Sequence, residues 1–223
     1  MQLIQVQMAL FSQQTIVRPD LIFNEVNQKL GGIIDTMPNI INLPMDVPGD
    51  FPIVSSTSSN GKYSINVSRA RVDFFIRPEF EKKISPTESL KEYQSFISKY
   101  YRTVAGTMAV SRVGVIFTLF EFVENNVKAV FEKHFKRDYS TAYSEASLKL
   151  NRQGLVKGIA MNNITNIDAS TLHHADKDYP GVVFLLDINN VPLNEKNLSM
   201  DEIAEIFKHA TMKVKSNELK ELI

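Results

Sequence analysis

Arg112, Asp187 and Asn189 are the residues of this 223-residue chain whose types and spacing come nearest to a built polar site. Ser111-Arg112-Val113-Gly114 opens one strand-like apolar run, and Leu186-Asp187-Ile188-Asn189 closes another. Placed on neighbouring strands, a guanidinium and a carboxylate form a charge-assisted pair that fixes strand register or lines a polar pocket. Such a pair organises a structure more often than it catalyses. Catalytic meaning comes in clefts where the pKa values are strongly perturbed.

Two other clusters carry potential chemistry. His173-His174-Ala175-Asp176-Lys177-Asp178 brings imidazoles and carboxylates together at short spacing, the donor set of zinc and related divalent ions. No H-E-x-x-H pattern or distant partner accompanies His173, His174 and Asp176, so a solvated loop is expected there, with no metal site and no cofactor. Arg69 and Arg71, with Lys62, Arg77, Tyr63, Phe74 and Phe75, make a basic and aromatic strand region of the kind that stacks bases and tracks phosphates. Lys plus Arg equals Asp plus Glu at 25 each, giving zero net charge, so nucleic-acid binding is not expected from a global basic excess. Arg69 and Arg71 remain candidates for contact with a ligand or partner.

The chain contains no cysteine, which removes disulfides, thiol catalysis and cysteine-ligated zinc together. There is no G-x-S-x-G elbow, and Gly154 and Gly158 lack the strand-to-helix context of a phosphate loop. An enzyme is not expected. No stretch reaches the roughly 20 apolar residues of a membrane span, and residues 1–11 alternate as a strand does, without a leader's basic start and continuous apolar core. A cytoplasmic protein is the expectation.

The elements that position these residues follow from periodicity. Ile4, Val6, Met8 and Leu10 alternate with polar neighbours as in a half-buried strand. Pro19 opens a helix that Gly31-Gly32 closes. A linker over residues 35–52, rich in proline, is either a flap or a surface crossover. Asn60-Gly61 between residues 53–57 and 63–67 predicts a tight hairpin, whose second strand continues through a bulge near Arg69-Ala70. Ser85-Pro86-Thr87-Glu88 and Ser199-Met200-Asp201-Glu202 are capping boxes, each leading an amphipathic helix. Between them lie a strand over 110–122, a helix over 123–135, a further helical turn within 141–151, and strands over 155–167 and 182–188 joined by a polar loop.

Strand, helix, hairpin and helix therefore occur twice, over residues 1–106 and 107–223. The spacing predicts an α+β fold: one domain of two intimately packed halves, with a mainly antiparallel sheet of about six strands and helices on one face. The repeat is one of element order, since the halves show no obvious residue-by-residue alignment. This layout of two strand-helix-strand-strand units resembles the duplicated module of the GyrI-like and SOUL-type binding proteins. The strand beginning Ser111-Arg112-Val113-Gly114 and the late Asp187-Ile188-Asn189 strand, with Asn60-Gly61 before them, also resemble a sporadically distributed prokaryotic family of unknown function. That resemblance implies no established activity or cofactor.

The expected function is binding or assembly in a prokaryotic cell through protein contacts, with a homodimer or a partner complex favoured by exposed edge strands and an uncovered sheet face. The alternative is a small-ligand sensor with its groove between the halves.

Overall fold

The computed structural model describes residues 1–44, 46–80, 84–135, 143–193 and 196–215. Thirteen elements follow one another: β1 (Gln2–Phe11), α1 (Pro19–Lys29), β2 (Asn39–Ile40), β3 (Pro52–Thr57), β4 (Tyr63–Ser68), β5 (Arg71–Ile76), α2 (Pro86–Thr107), β6 (Arg112–Phe122), α3 (Asn126–Phe135), β7 (Ser147–Val156), β8 (Ile159–His174), β9 (Lys177–Asn190) and α4 (Met200–Lys215). All the strands belong to one antiparallel sheet in the order β2-β3-β4-β5-β1-β6-β9-β8-β7. The fold is α+β, and the sheet has nine strands rather than the expected six.

Alternation sorts the side chains. Val6, Met8 and Leu10 of β1 stand in register with Phe117, Val115 and Val113 of β6; Leu186 and Ile188 of β9 continue the first two rows, and Phe184 extends the neighbouring row of Leu3 and Leu119. All are buried in one apolar cluster with Val26 of α1, Ile97 of α2, Val130 of α3 and Ile206 of α4. The four helices cover this face. Each large apolar side chain removed from water there contributes about 1.5–3 kcal/mol. Tyr100 is fully buried yet satisfied, because its hydroxyl donates to the Val72 carbonyl at 2.6 Å. That bond ties α2 to the stretch of β5 that carries Arg71 and Asp73.

Both helix signals act as the sequence predicts. At α2 the Glu88 amide donates to Ser85 Oγ (3.3 Å) and the Ser85 amide to Glu88 Oε2 (3.1 Å). At α4 the same reciprocal bonds join Ser199 and Glu202. The Asn60-Gly61 turn also forms, as a loop in which Gly61 takes a φ of 71°.

Four expectations are corrected. The chain does not bulge through Arg69-Ala70 but turns there, with Ser68 Oγ accepting from the Ala70 and Arg71 amides, so β4 and β5 are separate strands. Residues 147–151 are strand, not helix; residues 136–142 lie outside the described residues. The strand expected over 155–167 is split by a turn at Lys157-Gly158. The polar loop expected at 168–180 is the end of a long β8–β9 hairpin, which turns at Ala175-Asp176.

The sheet order reveals the duplication. From the central β1–β6 pair outwards, β5-β4-β3 on one side is matched by β9-β8-β7 on the other, with α1 and α3, and α2 and α4, in equivalent places. The same correspondence is visible in the residues, contrary to the expectation of an order-only repeat. Asp73, Pro78, Glu81, Lys82, Ser85 and Glu88 recur at one constant spacing as Asp187, Pro192, Glu195, Lys196, Ser199 and Glu202. Asp73 pairs with Ala9 and Asp187 with Ile116, which puts the pseudo-twofold axis at the Met8–Val115 pair.

Gly181 marks the tightest packing on the sheet. A Cβ there would lie 2.3 Å from the Glu121 carbonyl oxygen and 2.4 Å from the Phe120 ring. Gly181→Ala is therefore expected to cost about 3 kcal/mol in urea unfolding, whereas Gly114→Ala, whose Cβ would meet its nearest neighbours at 3.9 Å, is expected to stay within about 1 kcal/mol of wild type.

Candidate functional site

The face opposite the helices carries the polar chemistry. Phe11, at the end of β1, stands in register with Arg71 on β5 and with Arg112 on β6. Both guanidiniums lie over or beside its ring, at 5.6 Å and 5.0 Å from the centroid. Three strands thus present a row of arginine, phenylalanine and arginine. Cation–π contacts of this kind are worth about 0.5–1 kcal/mol at exposed sites and more when desolvated.

Each arginine is held from the next row. Arg71 Nε donates to Asp73 Oδ2 at 2.8 Å, and Gln7 Nε2 donates to Asp73 Oδ1 at 2.9 Å. Arg112 Nη2 donates to Asn189 Oδ1 at 3.2 Å, and Asn162 Nδ2 reaches the same oxygen at 3.3 Å. Asn189 Nδ2 in turn donates to Asp187 Oδ1 at 2.9 Å. Arg112 and Asp187 do sit on neighbouring strands, but Asn189 bridges them in place of a direct ion pair. The ladder explains this: Asp187 is opposite Ile116, four residues along β6 from Arg112.

Asp73 and Asn189 are each only 2% exposed although they stand on the uncovered face. Between them in the ladder lie Ala9 and Gly114, too small to fill their positions, and the Phe11 ring closes over this dip. Burial raises the Asp73 carboxyl above its ordinary value. The Arg71 charge and the hydrogen bonds from Gln7 and Arg71 pull the other way without overcoming it. Arg112 Nε is buried and has no hydrogen-bond partner.

The remaining candidates disperse. Arg69 occupies the β4–β5 turn, where its guanidinium donates to the Leu43 and Pro44 carbonyls and pins the proline-rich linker. β2 is paired to β3 and Asp35 accepts from the Ser59 amide, so the described part of that linker packs along the edge of the sheet as a crossover. Arg77 donates to Ser64 Oγ beside Phe75, so the three arginines do not form one basic strip. His173 and His174 point to opposite faces of β8. His173 Nδ1 meets Asp178 Oδ1 at 2.5 Å in an exposed pair, while His174 packs 5.1 Å from the Phe80 ring. Asp176 is in the hairpin turn. Among the described residues no group of three His, Asp or Glu could hold a metal ion.

Sequence reasoning missed Phe11, Gln7 and Asp73 as members of the cluster. Asp73 could have been found from its equivalence to Asp187 in the repeated segment; nothing local marks Phe11.

A separate cleft of 660 Å³ lies at the other end of the sheet, walled by Lys62, Arg77 and Phe80 from the first half and by Thr118, Leu172 and His174 from the second. Its floor includes Gln5, and the six residues to Phe11 span roughly 20 Å of strand. Arg112, Asp187 and Asn189 do not line it.

No protein-family model matches the chain, and no curated protein is similar to it. No helix among the described residues is long and apolar enough to cross a membrane.

Two outcomes follow for Asp73. Asp73→Ala leaves Arg71 and Gln7 without their acceptor and is expected to cost about 3 kcal/mol in chemical unfolding. A folded-state pKa above the unfolded value means that the ionised carboxyl weighs against folding above that pKa, a handicap lifted as the pH falls through it. Unfolding free energies measured from neutrality down toward the ordinary carboxylate range should thus shift in favour of wild type over Asp73→Asn. A shift of opposite sign would mean that the Arg71 pair outweighs burial.

Proposed function

We propose that this chain is a non-enzymatic binding or assembly protein, and that a protein partner docks on the open face of the sheet. The observation that supports it most is the Arg71, Phe11 and Arg112 row, held by Asp73 and Asn189 before any partner arrives. Aromatic and arginine side chains dominate the energetic centres of protein interfaces, and ordering them in advance lowers the entropy lost on docking. Half-buried Ile116, Ile164 and Leu185 continue the same face as an apolar surround. Arg71 is already paired with Asp73, whereas Arg112 has no ion pair among the described residues. A carboxylate on the partner, placed over Phe11, would meet that charge.

A small-ligand sensor is the second reading, supported by the cleft that both halves wall. Lys62 and Arg77 beside Phe80 and Leu172 would suit a small organic anion. The cleft shares none of the residues of the arginine row, so the two readings are separable.

Arg112→Met tests the first. Used as baits in a lysate of the source organism, with captured proteins quantified by mass spectrometry, wild type should retain a partner that Arg112→Met loses. The expected loss is about 2 kcal/mol in affinity. Arg102→Met, altering an exposed arginine of α2, should retain that partner. Equal capture by wild type and Arg112→Met would remove the arginine row from the binding surface.

A further inference from the structure

The two outer edges of the duplicated sheet are treated differently. In the first half Asp73 pairs with Asn66, and Asn66 with Ser55, which in turn receives Asn39 of β2. In the second half the equivalent Asp187 pairs with Ile164, and Ile164 with Asn151. There the ladder ends, for among the described residues no strand pairs with the outer side of β7. Among the described residues none takes, beside the centre of β7, the position that β2 takes beside β3.

That edge has the features of an acceptor strand. β7 runs for ten residues without proline and pairs with β8 without a register shift from end to end. Every residue except Leu148 and Val156 is exposed, including Leu150 at 43% and Leu155 at 74%. An edge of this length and regularity offers a row of unpaired amides and carbonyls to another extended chain. Its only charged residues are Lys149 and Arg152, which fall on opposite faces by alternation and make no ion pair among the described residues. Lys157, at the turn that follows, is already paired with Glu205 at 3.2 Å.

The charge decides the occupant. A second copy adding its own β7 would bring no carboxylate to Lys149 or Arg152, since β7 contains neither Asp nor Glu, and would double the positive charge along the seam. An incoming strand bearing carboxylates on both faces would be matched instead. We propose that β7 is a docking edge that takes up an extended acidic segment of a partner protein as an additional antiparallel strand. This rests on the protein-binding reading but uses a surface separate from the open face.

The probe is a fluorescent ten-residue peptide repeating Val-Thr-Glu-Glu, which places carboxylates on both faces of a strand. Anisotropy titration should give saturable binding, about tenfold tighter than for the same peptide with Lys in place of Glu. N-methylation of every peptide amide should abolish it, since neither edge of the peptide can then donate to the β7 ladder. The double variant Lys149→Glu, Arg152→Glu should reverse the preference, with its circular dichroism unchanged. Arg112→Met should bind the peptide as wild type does, so that failure at the edge and failure of the open face can be told apart. Absence of saturable binding would overturn the proposal, as would binding that survives N-methylation. Two further results would also overturn it. Cross-linking of Asn151→Cys into a β7–β7 dimer would make a second copy the occupant. Hydrogen-exchange protection of the outward β7 amides in the free monomer would mean that the chain covers its own edge.

Discussion

The antiparallel ladder between β1 and β6 is the constraint on which the rest of the molecule depends. It joins the two halves at the Met8–Val115 pair and makes one sheet of what would otherwise be two small ones. A sheet of four or five strands with a pair of helices buries little apolar surface. Fused across this ladder, the halves share a single core in which Val6, Val113, Val115 and Phe117 are fully or almost fully hidden. The register also fixes the chemistry. Phe11 is opposite Arg112 in this ladder and opposite Arg71 in the β1–β5 ladder, so the two registers together set the arginine row; slipping β1 by one residue would turn Val6, Met8 and Leu10 outward.

Placing all the helices on one side leaves the other side of the sheet to polar side chains. In the dip over Ala9 and Gly114, Phe11 and its neighbours bury a carboxylate and an amide. Burial disfavours the charged form of Asp73 while Arg71 favours it, and the first effect is the larger. The cluster is therefore rigid and costly to alter, and half of it, around Arg112, is incompletely satisfied.

The two halves keep a common frame and have diverged in what hangs on it. Asp73 and Asp187 are equivalent, but Arg71 corresponds to Leu185 and Gln7 to Gly114, so only one of the two carboxylates meets an arginine directly. The edges diverge too. The proline-rich linker folds back as β2 over β3 and is pinned by Arg69, while β7 carries Lys149 and Arg152 and has no further strand beside it among the described residues. Charged residues on an edge discourage indiscriminate pairing.

The sequence by itself determined the features that are decided within a few residues. Both capping boxes, the proline start of α1, the glycine turn at Gly61 and the alternation of β1 and β6 depend on local hydrogen bonding, φ preference and side-chain period, and all were legible. The hairpins of the second half were not. They turn at Lys157-Gly158 and Ala175-Asp176, where Lys157, Ala175 and Asp176 adopt positive φ without the usual Asn-Gly or Asp-Gly signature, and their outer strand is too polar to alternate. The paired register decided what no local rule could: Asn189 stands between Arg112 and Asp187, Phe11 lies under two guanidiniums, and His173 and His174 face apart. Even the repeated Asp, Pro, Glu and Ser positions, present in the sequence throughout, become meaningful only when the ladder supplies their common register. Contacts between distant residues depend on which strands meet and at what offset, and that is settled by burying both halves in one core.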